Sequence, residues 1–224
     1  MQELQISCDF ESLARYKGLV FDMDGTLIDS MRFHVLAWLE TAAEFGASIE
    51  ESWLYAHGGV PSQVLAGIIA EKYGINTDLH ELTARKTSAF VRHIPEISIY
   101  PRMRVLLETA KSMGIPMAIA TGTLKSNVEK VFPATGLGEY IDKWVCSQDV
   151  KKHKPDPEIF ATAAEWIGIN PHDCLGFEDA PLGLKSALAA GMDCCVVKDG
   201  DVNLSRIVRP KEVYDWEKIQ KSFC

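Results

Sequence analysis

This 224-residue sequence contains neither a long apolar run nor an excess of basic residues, and these two absences are the most informative. No stretch reaches the roughly 20 apolar residues that a membrane-spanning helix needs. Asp and Glu outnumber Lys and Arg by 31 to 23, which gives a net charge of −8. Because nucleic-acid-binding surfaces are normally basic, the composition predicts a protein that binds neither membranes nor nucleic acid. An anionic small substrate stays possible, because a metal and a few local cations can dominate the field of a site.

The six cysteines include no C-x-x-C pair, so the sequence lacks the common zinc and redox motif. Cys146, Cys174 and Cys194 fall in apolar segments that resemble strands, which predicts buried thiols rather than disulfides or metal ligands. Residues 1–16 contain three acidic residues and no apolar core, which argues against a secretory signal. We therefore expect a cytoplasmic protein in which residues 1–17 form an extension packed on the core.

The chain is organised around a short apolar run, Leu19 to Phe21, that ends at Asp22, Asp24 and Gly25. Residues two apart in an extended chain point the same way, so both carboxylates should emerge at the carboxyl end of a strand, where open α/β sheets bind ligands. Adjacent carboxylates repel unless one is protonated or a cation joins them, and oxygen ligands suit Mg²⁺. Asp-x-Asp-Gly alone is equally typical of an acidic turn after a strand.

The remaining sequence divides into a helical part and a part with alternating strands and helices. Apolar residues at helical spacing predict three helices between residues 31 and 94 with no strand between them. From residue 100 to residue 197, strands and helices alternate, which predicts a parallel sheet with right-handed crossovers. The predicted fold is therefore an α/β core with a Rossmann-like parallel sheet, residues 1–33 and 99–224, and a small all-helical cap, residues 34–98, inserted after the first strand.

Three further polar motifs follow predicted strands or precede predicted helices. Thr121 occurs in Ala-Thr-Gly-Thr, Lys154 in His-Lys-Pro-Asp, and Glu178 with Asp179 in Phe-Glu-Asp-Ala. Each has an ordinary structural explanation when taken alone: a turn, a solvated run of charges, or acidic residues at a helix N-terminus. Four such motifs in this order are much harder to obtain by chance than any one of them.

Together these motifs resemble those of the haloacid dehalogenase (HAD) superfamily of phosphotransferases, and Asp-Met-Asp-Gly-Thr-Leu-Ile-Asp-Ser resembles its first motif. The resemblance implies that Asp22 is the nucleophile and Asp24 the general acid and base. Haloacid dehalogenases lack the second Asp, so Asp24 favours phosphoryl chemistry over carbon–halogen cleavage. The resemblance also implies that the Thr121 hydroxyl and the Lys154 ammonium hold the phosphate.

The same resemblance implies a Mg²⁺ site and a phosphate-binding loop. Asp22, the Asp24 carbonyl oxygen and Asp179 would bind the metal, with Glu178 in or beside its coordination shell. Gly122, next to Thr121, gives the backbone room to bring N–H groups to an anion, and the predicted substrate-binding residues include Gly122 and Thr123.

The spacing of the motifs resembles one particular class of the superfamily. Asp22 and Thr121 lie 99 residues apart, whereas Lys154 and Asp179 lie only 25 apart. This resembles the class with a helical cap between the first two motifs, and most of all the β-phosphoglucomutase-like subfamily with its bacterial fructose-1-phosphate phosphatases. The segments Phe-Glu-Asp-Ala-Pro-Leu-Gly and Ala-Ala-Gly-Met fit that subfamily.

Two cap residues match substrate-contacting positions of the subfamily, His34 and Lys86. Lys86 shares a helical face with Leu82 and Phe90, and a lysine on such a face is also typical of a side chain whose stem covers apolar surface. His34 alone is more typical of a partly buried structural histidine. The resemblance implies that both contact the substrate.

One departure from the subfamily concerns the choice between hydrolysis and isomerisation. The mutase carries a cap arginine just after Gly-Val-Ser, where it grips a second phosphate, whereas residues 58–64 of this chain contain no cation. The sequence thus predicts a monomeric, Mg²⁺-dependent phosphatase for a small sugar phosphate such as fructose 1-phosphate. A β-phosphoglucomutase-type mutase is the first alternative. A catalytically silent phosphate-binding protein is the second, and the intact motifs argue against it.

Overall fold

The structure is a computed structural model that describes residues 10–210. Ser30–Ser98 forms one compact unit, called here the helical unit, and the described residues on either side of it form the core unit. The predicted boundaries after residues 33 and 98 remain a prediction, because a compact unit is not by itself a domain. Most of the predicted N-terminal extension lies outside the described residues, as do Cys8 and Cys224.

The core unit contains a six-stranded sheet within the described residues, with the strand order β3-β2-β1-β4-β5-β6. The first five strands are parallel, as the alternation of strands and helices predicts, and β6 is antiparallel to β5. The parallel α/β fold is therefore confirmed. The strands are β1 (Gly18–Phe21), β2 (Met117–Ala120), β3 (Lys143–Val145), β4 (Cys174–Glu178), β5 (Asp193–Val196) and β6 (Ile207–Val208).

The central strands of this sheet read as continuous apolar runs because they are buried on both faces, as is usual in parallel sheets. Every residue of β1, β2 and β4 is buried. On one face, Phe160 and Leu184 pack with Val20, Ala118 and Cys194 in a single apolar cluster. The helices of the core unit are α5 (Pro101–Ser112), α6 (Lys125–Thr135), α7 (Glu158–Trp166) and α8 (Pro181–Ala189).

The predicted burial of three cysteines is confirmed, since Cys146, Cys174 and Cys194 are buried free thiols. Cys195, the next residue after Cys194, is buried as well. Their side chains belong to the apolar packing of the sheet rather than to a metal site or disulfide.

Parallel pairing brings the carboxyl ends of β2, β1 and β4 to one edge of the sheet. Phe21, the last residue of β1, is in register with Ile119 on one side and Phe177 on the other. The ladder continues one step further, because the Asp22 N–H donates to the Phe177 carbonyl oxygen at 2.9 Å. The residues that follow these strands are therefore neighbours in space.

The helical unit is made of α1 (Met31–Glu44), α2 (Glu51–Ala56), α3 (Ser62–Tyr73) and α4 (Leu79–His93). Its core includes Trp38, Leu65, Ile69 and Leu82. Three of these helices are predicted by the sequence, whereas α2, with six residues, is too short for its apolar spacing to be recognised. Among residues 10–210, no helix combines the length and the apolar character that a membrane crossing requires. Cytoplasmic location stays a prediction.

Candidate active site

A tight loop after β1 presents the two acids of the first motif. Asp22 is buried, with 7% of its surface exposed, and Asp24 is partly buried. The N–H groups of Leu27 and Ile28 both donate to the Met23 carbonyl oxygen, which folds the loop back on itself. Gly25 has a φ of 85°, a backbone conformation that side-chain-bearing residues rarely adopt. The glycine after the second acid is therefore required by the loop.

Lys154 reaches this loop and joins two carboxylates. Its Nζ lies 2.6 Å from Asp22 Oδ1 and 2.7 Å from Glu178 Oε1. Its side chain is 14% exposed, whereas Lys151 and Lys152 nearby are exposed. The alternative explanation of a solvated charge run fits those two lysines and does not fit Lys154.

Glu178 and Asp179 are each held by a hydrogen bond at the end of β4. The Ala180 N–H donates to Glu178 Oε2 at 2.7 Å, and the Thr26 hydroxyl donates to Asp179 Oδ1 at 2.7 Å. Glu178 is the last residue of the strand, and α8 begins only at Pro181. The acidic pair therefore belongs to the end of the strand rather than to the first turn of the helix.

Three carboxylates form a group with the composition of a metal site. One oxygen each from Asp22, Glu178 and Asp179 lies within 4.8 Å of the others. Such a set of hard oxygen donors fits a hard divalent cation like Mg²⁺. The Asp24 side chain is outside this group, which leaves its carbonyl oxygen as the part of Asp24 that could bind the metal.

The electrostatics of this group also favour a bound cation. Burial raises the pKa of Asp22 well above its usual range, Lys154 opposes the rise, and the charges of Glu178 and Asp179 reinforce it. Burial, reinforced by Glu178, raises the pKa of Asp179 to about 7. Burial lowers the pKa of Lys154, but the attraction of Asp22 and Glu178 outweighs it, so the net shift is upward. The cluster therefore holds more carboxylates than one ammonium group compensates.

The loop after β2 holds the second acid of the first motif. The Thr123 hydroxyl donates to Asp24 Oδ2 at 2.6 Å, and the Thr121 hydroxyl lies 3.4 Å from the same oxygen. The Thr123 N–H donates to the Thr121 hydroxyl oxygen at 3.1 Å. A Cβ at Gly122 would meet no atom within 4 Å, so packing does not demand glycine there. The sequence did not predict that Thr123 would contact Asp24, and the phosphate-binding roles of all three residues remain predictions.

The helical unit contains the remaining predicted pair. Lys86 is 4% exposed, and its Nζ lies 2.8 Å from His34 Nδ1. The His34 ring stacks on Phe90 with centroids 4.0 Å apart. Lys86 is therefore not an edge lysine with its ammonium in solvent. Because the ammonium is a donor only, His34 Nδ1 is the acceptor, which places the proton of a neutral ring on Nε2.

Comparison with known proteins gives the family. Residues 19–197 match the model of the family described as haloacid dehalogenase-like hydrolase. The chain belongs to this family. This confirms the membership that the order of the four motifs predicts.

Relatives of this HAD hydrolase include bacterial phosphatases. Fructose-1-phosphate phosphatase YqaB of Escherichia coli is 36% identical over 184 residues, which cover 82% of this chain and 97% of that protein. Hexitol phosphatase A of Escherichia coli is 32% identical, and the match covers 79% of this chain and 81% of that protein. The crystal structure of β-phosphoglucomutase from Clostridium difficile matches with a TM-score of 0.73 at 24% identity, covering 93% and 97% of the two chains. That likeness concerns the fold. This HAD hydrolase is thus an enzyme of the phosphatase type.

Two residues that support the HAD site were not predicted as site residues. Thr26, which holds Asp179, lies within the first motif, and its buried hydroxyl needs a partner. Gly183 lies in α8 directly against Glu178. A glycine inside a helix is unfavourable on propensity alone. The glycine at position 183, within a predicted helix, is therefore the sequence feature that could have identified it.

Proposed function

We propose that this HAD hydrolase is a Mg²⁺-dependent phosphatase that hydrolyses a small sugar phosphate through an aspartyl phosphate on Asp22. The observation that carries the proposal is the contrast between the two acids of one loop. Asp22 is buried and 2.6 Å from the Lys154 ammonium, whereas Asp24 is partly buried and accepts a hydrogen bond from Thr123. Two carboxylates in different surroundings can serve as nucleophile and as acid and base.

In the proposed reaction, an Asp22 oxygen attacks phosphorus, and the bond to the sugar oxygen breaks. Asp24 gives its proton to the departing alkoxide, and the Thr123 hydroxyl keeps that carboxyl in place. Asp24 then takes a proton from the water that attacks the aspartyl phosphate, which releases inorganic phosphate and restores both acids. Lys154 and Thr121 would hold the negatively charged phosphate oxygens.

The metal would be held by the Asp22 and Asp179 side chains and the Asp24 carbonyl oxygen. Bound Mg²⁺ would neutralise negative charge on the phosphate and on the carboxylates. Glu178 already accepts a hydrogen bond on each of its oxygens, from Lys154 and from the Ala180 N–H. We therefore assign Glu178 to the support of Lys154 and of the metal's surroundings.

The proposed substrate is a small phosphorylated sugar such as fructose 1-phosphate. The similarity to fructose-1-phosphate phosphatase YqaB supports a sugar phosphate, and the similarity to hexitol phosphatase A supports a small polyol phosphate as a related choice. On the family resemblance, His34 and Lys86 are included among the proposed substrate-binding residues, together with Gly122 and Thr123.

Phosphate release from a panel of sugar phosphates tests the proposal. We expect Mg²⁺-dependent release, fastest with fructose 1-phosphate or a similar ester. A chelator should eliminate this release without unfolding the protein, because the buried apolar sheet holds the strand ends in place without a metal. Circular dichroism before and after chelation provides the control. Full activity without free divalent cations would contradict the metal site.

The mutase alternative is tested in the same assay. Incubation of β-glucose 1-phosphate with a trace of the bisphosphate yields glucose 6-phosphate if the enzyme is a mutase and free phosphate if it is a phosphatase. Residues 58–64, which lead into α3 and include its first residues, contain no cation for a second phosphate, so we expect free phosphate. Phosphate binding with no turnover of any ester would instead indicate the silent binding protein.

A further inference from the structure

Gly183 lies inside helix α8 with its Cα against the Glu178 side chain. A methyl group at this position would overlap Oε1 and Cδ of Glu178 and would lie 2.7 Å from its Cγ. Gly183 has an ordinary helical backbone and is not among the glycines with positive φ in the described chain. The backbone conformation therefore does not require glycine, and the reason for glycine is the space that Glu178 occupies.

The Glu178 carboxylate cannot move aside without losing contacts. Its Oε1 accepts a hydrogen bond from Lys154 Nζ at 2.7 Å, and its Oε2 accepts one from the Ala180 N–H at 2.7 Å. Its side chain is 2% exposed, so solvent offers no alternative place for the charge. A shift of the carboxylate large enough to relieve an overlap at Gly183 would therefore disturb these two bonds.

We propose that Gly183 is a positioning residue. Because it has no side chain, it leaves the space in which the Glu178 carboxylate lies between Lys154 and the Ala180 amide, and this arrangement is called here the seating of Glu178. Through Glu178 it fixes Lys154, which lies 2.6 Å from Asp22. The catalytic part of this inference rests on the proposed function. The seating of Glu178 rests on the geometry alone.

Asp22 and Glu178 share the Lys154 ammonium, so a displaced Glu178 affects the reaction through Lys154. If Glu178 is displaced, Lys154 keeps Asp22 as its partner within this cluster and is drawn onto it. The ammonium is then less available to the phosphate, and the carboxylate group around the metal loses one defined member. We therefore expect a lower kcat and a higher Mg²⁺ requirement, with the same relative loss for every phosphate ester.

Gly67 offers a matched control in helix α3. It also lies inside a helix, but a Cβ there would meet only a Leu79 side-chain atom at 3.8 Å, an ordinary contact. Replacing glycine by alanine normally stabilises a helix. Gly67→Ala should therefore keep the parent activity and keep or raise the Tm.

The experiment is a double-mutant cycle with Gly183→Ala, Glu178→Ala and the double variant. Gly183→Ala should lower kcat by about tenfold or more and lower the Tm. The side chain of Glu178→Ala ends at Cβ, so this variant lacks the three atoms that the new methyl group would approach, Oε1, Cδ and Cγ. Gly183→Ala should therefore cause a much smaller relative loss of kcat, and a much smaller drop in Tm, in the Glu178→Ala background than in the parent. A role of Gly183 confined to helix packing would give equal losses in both backgrounds.

Thermal unfolding without metal or substrate separates this inference from the proposed function. The protein could release phosphate from no ester and still show strong coupling of the two substitutions in Tm. That result would reject the proposed function and support the positioning of Glu178 by Gly183. Parent-like kcat and Tm in Gly183→Ala would overturn the inference, as would additive effects of the two substitutions, even in an active phosphatase.

Discussion

The core unit and the helical unit each contain a lysine that is largely withdrawn from solvent, and the two lysines have different partners. Lys154, in the core unit, lies between the carboxylates of Asp22 and Glu178. Lys86, in the helical unit, lies 2.8 Å from His34 Nδ1, with its Nζ 5.2 Å from the centre of the Phe90 ring. Both ammonium groups also lie over an aromatic ring, which attracts cations, since Lys154 Nζ is 5.0 Å from the centre of the Phe160 ring. The difference within each unit is the hydrogen-bond partner, which is a pair of carboxylates for Lys154 and a histidine ring nitrogen for Lys86.

This difference indicates what each lysine contributes to stability and to the reaction. Removing an ammonium from a buried ion-paired group leaves uncompensated carboxylates, which is strongly destabilising. At Lys86, an apolar residue of similar length keeps most of the packing of the side chain on Trp38 and Phe90. We therefore expect substitutions around Lys154 to affect chemistry and electrostatics, and substitutions at Lys86 to affect mainly what its ammonium binds.

Asp22→Asn should have the largest effect on the core unit, because it removes the proposed nucleophile. We expect turnover to be abolished in the phosphate-release assay. The Tm should stay unchanged or rise, since burial raises the pKa of Asp22 and the charged form is therefore disfavoured in the fold. Asp142→Asn, at a carboxylate whose side chain is 84% exposed, is the matched control and should retain parent activity. Parent-like turnover in Asp22→Asn would remove the basis of the mechanism.

Asp24→Ala should lower kcat by roughly 10²–10⁴, the usual contribution of a general acid and base. The loss should be smaller with p-nitrophenyl phosphate, whose leaving group needs little protonation. Comparing kcat for this ester and for a sugar phosphate checks the assignment. A loss of the same size with both would argue against proton transfer by Asp24.

Lys86→Met tests the role of the ammonium group of Lys86 in the helical unit. Met keeps the length and the burial of the side chain but loses the ammonium. If that ammonium contacts the substrate, the loss of a charge-assisted hydrogen bond costs about 1.5–3 kcal/mol, or roughly tenfold or more in kcat/KM. We expect this loss with sugar phosphates and not with p-nitrophenyl phosphate, which has no sugar hydroxyl.

Lys72→Met is the control for that experiment. Lys72 also lies over aromatic rings of the helical unit, 4.3 Å from the centre of the Trp53 ring, but it is exposed. It should retain parent kcat/KM on sugar phosphates. Equal kcat/KM for Lys86→Met and its parent would assign Lys86 to packing alone.

Sequence reasoning predicts the strand-end part of the site well, and the reason is topological. In a parallel sheet the carboxyl ends of neighbouring strands coincide, so the positions of Asp22, Thr121 and Asp179 follow once β1, β2 and β4 are recognised. Lys154 required the family resemblance, because its run of charges looks solvated. Its two partners depend on a loop whose path no spacing rule determines.

The parts that sequence reasoning missed depend on single contacts or on very short elements. The Thr123–Asp24 hydrogen bond joins loops 99 residues apart, and no local pattern encodes it. The fit between Gly183 and Glu178 depends on how α8 lies against β4. The antiparallel strand β6 has only two residues, which is too short for any alternation of apolar and polar residues.

The smallest expected effect concerns a partly buried histidine of the helical unit, and it tests whether charge matters there as it does around Lys154. His93 Nε2 lies 2.9 Å from Glu40 Oε1, and His93 Nδ1 lies 3.0 Å from Glu96 Oε1. Hydrogen bonding to Glu96, followed by that to Glu40, raises the pKa of His93, although burial opposes the shift. Arg92 also contacts Glu40, at 2.7 Å, so Glu40 retains a cationic partner when His93 is neutral.

Because the pKa of His93 is raised in the fold, protonated His93 stabilises the fold fully below its unfolded-state pKa of about 6.5. This contribution is lost as the pH rises through the folded-state pKa. His93→Gln should therefore lower the Tm most near pH 6, and the difference from the parent should shrink towards pH 9. Because these ion pairs are partly exposed, we expect no more than about 1 kcal/mol. Arg85→Gln serves as control, because it removes an exposed cation that is ion-paired with Glu44 and Glu81 and keeps its charge over this pH range, so its effect on the Tm should not follow this trend. A Tm difference for His93→Gln that grows with pH would show that the neutral ring, rather than the ion pairs, stabilises this end of α4.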